Sequence, residues 1–162
     1  MHMFIFWLQV GLAITIFLLS TLAALYEGSG IFYHIFEWEY STPFSKLING
    51  EVTNAGDIVV LDHFVFAAKY SPTFPIIMTL CGIYLLVLIG YFIFRKSRRF
   101  IRYTFILGIL LFLLSSSLIN AHTIGGKSFF FTFLVSGSMC LIIPLIIYIV
   151  LLFKNKTHKG LS

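Results

Sequence analysis

Polar and apolar positions separate into long blocks along this chain. Four stretches are almost wholly apolar: residues 3–25, 72–94, 103–121 and 130–153. Each has about the 20 residues that an α-helix, rising about 1.5 Å per residue, needs to cross a hydrocarbon layer of about 30 Å. Polar residues gather between them, in a segment at 26–71 and in eight-residue links at 95–102 and 122–129. The pattern predicts four transmembrane helices. The short links make the second, third and fourth helices antiparallel neighbours. The expected fold is therefore an all-α membrane protein, an up-down-up-down four-helix bundle with a partly structured outer loop between helices 1 and 2. Residues 1–162 then form a single integral membrane domain.

Individual residues refine the spans. Pro72 and Pro75 fall in the first turn of the second helix, where a missing N–H breaks no helical bond, whereas Pro144 is mid-span and predicts a kink. Gly11, Thr15, Ser20, Ala24, Gly82, Ser115 to Ser117 and Ser136 to Ser138 are the small residues expected at close helix contacts. The first stretch exceeds the about 7–15 apolar residues of a signal peptide and no Lys or Arg precedes it, so it is expected to persist as a helix.

Composition agrees. Hydrophobic residues make up 59% of the 162 and charged residues 10%, with a mean hydropathy of +1.00; soluble domains are about 25% charged. Disorder is excluded, and two cysteines cannot make a disulfide scaffold. The net charge of +5 resolves into a polarised distribution. Arg95, Lys96, Arg98, Arg99, Arg102, Lys154, Lys156 and Lys159 cluster on one side of the expected bilayer. Only Lys46, Lys69 and Lys127 lie on the other, with all six acidic residues. The positive-inside rule then places both termini in the cytoplasm. Arg95, Lys96, Arg98, Arg99 and Arg102 are tethered between two spans, which suits contact with anionic lipid headgroups, worth about 1 kcal/mol per basic residue, and not a nucleic-acid surface.

The loop at 26–71 is too long to be structureless. Ile31 to Phe44 interleaves aromatics with His34, Glu37 and Glu39. As a strand it places Glu37 and Glu39 opposite Phe36, Trp38 and Tyr40; as a helix it clusters Ile31, Phe32, Ile35, Phe36 and Glu39. Asn49-Gly50 signals a type I′ hairpin flanked by Lys46 to Ile48 and Glu51 to Thr53. Asp57 is placed to cap a following helix, and Ile58 to Ala68, too short to span, reads as an interfacial helix.

Candidate chemistry is sparse. His34, Glu37, Asp62 and His63 are the residue types of a metal site, and their convergence would suit an envelope metal-dependent enzyme, but their spacing matches no compact ligand motif. Cys81 and Cys140 lack a C-x-x-C context and read as small buried hydrophobes. No span holds Asp, Glu, Lys, Arg or His away from its ends, which argues against a proton relay or ion-coupled carrier. No cofactor is implied.

Ser20 to Gly30 (STLAALYEGSG) and Phe36 to Ser45 (FEWEYSTPFS) resemble the YjdJ-like family of small bacterial membrane proteins of unknown function. The resemblance covers the first span and the early loop. It implies a bacterial plasma-membrane location and carries over no functional residue. The favoured expectation is a non-enzymatic accessory or interaction protein that presents an acidic, aromatic outer loop to lipid or to another membrane or envelope protein. The alternative is a small transporter or channel component working as a homo-oligomer.

Overall fold

In a computed structural model that describes residues 2–94 and 98–159, every long apolar block is helical. Helix α1 spans His2–Gly28, and three short helices follow: α2 Trp38–Ser41, α3 Pro43–Asn49 and α4 Val60–Tyr70. The long helices α5 Thr73–Phe94, α6 Arg98–Ser117 and α7 Ile124–Lys159 complete the chain. No strand occurs among the described residues. Four helices are long and apolar enough to cross a membrane, and only 11–28% of their apolar windows is buried within the protein. Leu8, Leu12, Leu22, Leu113 and Met139 are among many large apolar side chains left exposed along them. Such surfaces need an apolar solvent around them.

The helices pair in two antiparallel couples. In the first, α1 lies on α5: Phe6 stacks on Phe92 at 5.3 Å, and the Phe17 ring meets Gly82 further along. In the second, α6 lies on α7 where Gly108 and Gly137 oppose each other; a Cβ on Gly108 would strike Leu141, and one on Gly137 would crowd Phe112 and the Gly108 carbonyl. Ser115, buried here, donates to the Phe130 carbonyl at 3.1 Å. The couples meet where the Tyr103 ring covers Gly90 and its hydroxyl donates to the Leu86 carbonyl at 3.1 Å.

The ends of the couples meet again at α4. Gly28, closing α1, lies directly against the His63 backbone, and Gly125, in the first turn of α7, lies against the carbonyls of Ala68 and Lys69. At both points only a hydrogen fits where another residue would carry a Cβ. Ala67, between these crossings, is fully buried. The short eleven-residue helix α4 therefore ties α1 to α7.

Several sequence expectations change. Of the small residues, Ser20, Ala24 and Ser115 are buried, but Gly11 has nothing within 4 Å of its Cβ position. Thr15 is exposed and returns its hydroxyl to the Gly11 carbonyl at 2.9 Å. The third apolar helix begins at Arg98 and stops at Ser117, because Leu118, Ile119 and Ala121 donate to carbonyls three residues back and tighten into turns. Pro144 does lie within a long helix, α7, as expected.

These contacts predict opposite outcomes for glycines that all lie in long helices. Gly28→Ala and Gly125→Ala force backbone apart and are expected to lower stability by about 1–3 kcal/mol, while Gly11→Ala leaves stability unchanged or raises it. Thermal unfolding in detergent of Cys81→Ser protein, followed by a thiol-reactive fluorophore reaching the buried Cys140, checks all three.

Candidate functional site

The segment between α1 and α5 folds as a helical cap with its own small core. Ile31, Ile58 and Phe66 are buried together, with Trp38 and Val52 packed against them. After α1 the chain makes two 3-10 turns, Ser29–Tyr33 and Ile35–Glu37, separated at His34. The Trp38 indole donates to the Ile31 carbonyl at 2.9 Å and pins α2 over these turns. The strand reading of this stretch is thus replaced by helical turns. The single-face helix reading fails too: Ile31 is buried, whereas Ile35 and Phe36 are 66% and 94% exposed.

The Asn49-Gly50 hairpin does not form. Lys46 to Asn49 belong to α3, and Gly50 takes φ +79° to end that helix, donating its N–H to the Lys46 carbonyl at 3.1 Å. An Asn-Gly pair suits a helix stop as well as a hairpin because both need a positive φ at glycine. Asp57 does not cap α4. Its carboxylate accepts from the Thr53 and Asn54 N–H groups at 3.1 and 3.0 Å, closing its own turn, and those bonds hold its pKa below the ordinary value. The expected helix over Ile58 to Ala68 is present as α4, beginning two residues later.

Asp62 is fully buried. Its two oxygens accept from the N–H groups of Phe44 at 3.0 Å and Ser45 at 2.8 Å, and the Ser45 hydroxyl donates to the same carboxylate. Ser45 Oγ in turn accepts from the Val59 N–H at 2.8 Å. Pro43 opens α3, and Thr42, in the capping position before it, turns its hydroxyl back to the Trp38 carbonyl. The first turn of α3 therefore lacks a local acceptor, and Asp62 supplies one from α4.

Glu37 takes a different partner. Lys69 donates to its Oε2 at 2.5 Å and the Ser41 hydroxyl at 2.8 Å. The Lys69 hydrogen bond, followed by that of the Tyr70 hydroxyl, pulls the Glu37 pKa from 4.5 to about 2. Burial is the largest single influence on Lys69 and works against its charge, but Glu37 and Tyr70 together outweigh it and the ammonium pKa is raised. His34 stacks on Phe66 at 5.6 Å and His63 sets its ring edge-on to Phe32 at 5.1 Å. Burial lowers the His63 pKa, the neighbouring Asp62 charge opposing it. No set of three His, Cys, Asp or Glu side chains is arranged to hold a metal among the described residues. His34 and Glu37 share a wall, whereas Asp62 and His63 have other surroundings.

That wall borders a cavity of about 750 Å³ between the end of α1, the two 3-10 turns and the end of α4. Glu27, Tyr33, Phe36, Phe66 and Tyr70 also line it. A second, apolar groove of about 400 Å³ lies between α5, α6 and α7, lined by Tyr84, Thr104, Met139, Cys140 and Pro144 among others. Cys81 and Cys140 are both free. Of the basic cluster, Arg98, Arg99 and Arg102 are exposed on the first turns of α6; Arg95 and Lys96 lie outside the described residues.

Residues 7–94, from α1 through the cap to the end of α5, match the family described as "Domain of unknown function (DUF4306)". The chain belongs to this family. It is also similar to "Uncharacterized protein YjdJ" of Bacillus subtilis (strain 168), with 34% identity over 80 residues, 48% of this chain and 73% of that protein. No solved structure matches. The family region holds both the Asp62 lock and the cavity, and α6 and α7 lie beyond it.

Two titrations predict the acid response of the cap. Neutral His63 is favoured by folding, so stability falls as pH drops below its ordinary value of 6.5. The Glu37 contribution is complete above about pH 4.5 and is lost as pH falls toward about 2. Thermal unfolding across this range is expected to lose its upper step in His63→Leu and its lower step in Glu37→Gln.

Proposed function

We propose that this chain is a non-enzymatic accessory protein of the bacterial plasma membrane. Its four long helices span as an up-down-up-down bundle with both termini in the cytoplasm, and the cap stands on the outer face, presented to lipid or to another envelope protein. One contrast within the cap carries this reading: three of its carboxylates are turned to structural use while several large apolar side chains stand exposed. Asp62 holds α3, Glu37 holds Lys69 and Asp57 closes its own turn. Meanwhile Tyr33, Phe36, Leu47 and Ile48 are 86%, 94%, 82% and 67% exposed.

The arginines support the orientation. Arg98, Arg99 and Arg102 are exposed near one end of α6 and carry three positive charges within five residues. Attraction to an anionic inner leaflet is worth about 1 kcal/mol per basic residue.

Fusions test the topology. A reporter active only outside the cytoplasm is expected to work when inserted near Gly50 or Gly125 and to fail near Ser97 or at the C-terminus; the reverse result overturns the orientation. For the accessory role, affinity capture from native membranes followed by mass spectrometry is expected to recover a specific membrane protein whose yield falls in Leu47→Ser/Ile48→Ser. A homogeneous homo-oligomer that conducts ions in liposomes contradicts it and favours a channel component.

A further inference from the structure

The cavity at the end of α1 contains a polar group that the fold does not use. Oε2 of Glu27 is shielded from solvent and has no hydrogen-bond partner among the described residues. Buried acceptors are nearly always satisfied, so the Glu27 carboxylate, part of the cavity wall, is short of a partner. The other carboxylate in the wall, Glu37, is matched by Lys69 at 2.5 Å. One carboxylate charge is therefore left uncompensated.

The rest of the wall says which cation suits it. A hard divalent ion takes about six to eight oxygen ligands, and the described residues offer no group of three acidic, His or Cys side chains placed for a metal. What the wall offers instead is aromatic: Tyr33, Phe36, Phe66 and Tyr70 line it with His34, but His34 and Tyr70 already pack on Phe66 and the Lys69 ammonium already lies over Tyr70, which leaves Tyr33 and Phe36. Phe36 is 94% and Tyr33 86% exposed, so their faces lack protein neighbours to cover them. Aromatic faces attract an organic ammonium, whether protonated or quaternary, and a carboxylate supplies the counter-charge. The volume of about 750 Å³ also falls within the range of about 300–1,000 Å³ usual for small-molecule sites.

We propose that this cavity binds an organic ammonium group, with the Glu27 carboxylate as its counter-ion and Tyr33 and Phe36 closing over it. The group belongs either to a soluble amine or to the headgroup of an ammonium-bearing phospholipid. The site goes beyond the accessory-protein reading and stands independently of it, because binding by purified protein requires neither a given orientation nor a protein partner.

The test uses the full chain in detergent with Trp7→Phe, which leaves Trp38, packed on the Ile31–Phe66 core, as the remaining tryptophan. Tetramethylammonium and ethanolamine are titrated while Trp38 fluorescence and thermal unfolding are followed. Both are expected to shift the two readouts saturably, with glycerol inert. Glu27→Gln and, separately, Phe36→Ala are expected to weaken binding roughly tenfold or more, while Glu51→Gln, an exposed acid outside the cavity wall, leaves it unchanged. Nanodiscs separate the sources. A response to ethanolamine phospholipid but not to the free amines assigns the headgroup, and a response to the free amines assigns a soluble ligand. The proposal is overturned if Glu27→Gln binds as the parent does, if glycerol or a glycerol phospholipid matches the ammonium probes, or if neither readout responds to any ammonium probe.

Discussion

A buried carboxylate is tolerated only when donors replace the water it has lost, and Asp62 has three of them, two backbone N–H groups and a hydroxyl. The rest of the cap hangs from that bond set. Through it α3, which has no acceptor of its own at its start, is fixed to α4, and the Ser45 hydroxyl extends the lock to the Val59 N–H. Helix α4 in turn is held by backbone contact at Gly28 on one side and Gly125 on the other. A single charge thus organises the polar half of the molecule, and the two glycines pass that order on to the long helices.

The two halves are built differently. Along α1, α5, α6 and α7 large apolar side chains stay exposed, and close approach depends on small residues such as Gly108 and Gly137 where packing replaces the hydrophobic drive. The cap instead has a small core of its own, with Ile31, Ile58 and Phe66 inside. A core of three buried residues cannot by itself order so many, so the cap leans on the long helices below it. The family match, ending at Phe94 with α5, encloses the cap and the α1–α5 couple that supports it; α7 adds a second support through Gly125.

The long helices were legible in the sequence because length and apolarity alone define them, and their ends were less so. Ser117 ends α6 because the following residues tighten into turns, a choice apolarity does not record. Within the cap, α4 was visible as an apolar run with a charge in it. The role of that charge was not, since Asp62 meets Phe44 and Ser45 only across a fold that brings together residues 17 and 18 apart. Pro43 after Thr42 was the available clue: it marks a helix start, and a start without a local cap asks for an acceptor from elsewhere. Asn49-Gly50 misled because a glycine at positive φ ends a helix as readily as it turns a hairpin. The cavity was out of reach for a similar reason, as Glu27 and Glu37 reach one wall only once the two 3-10 turns bend the chain at His34.

Hydrogen exchange at three amides tests the dependence on Asp62 most directly. In the parent protein the N–H groups of Phe44, Ser45 and Val59 are expected to exchange far more slowly than those of the turn at Glu51 and Val52. In Asp62→Ala all three are expected to become fast, together with α4, while the middles of α5 and α6 keep their protection. Phe44 and Ser45 exchanging as fast as that turn in the parent, or α4 keeping its protection in Asp62→Ala, contradicts the account.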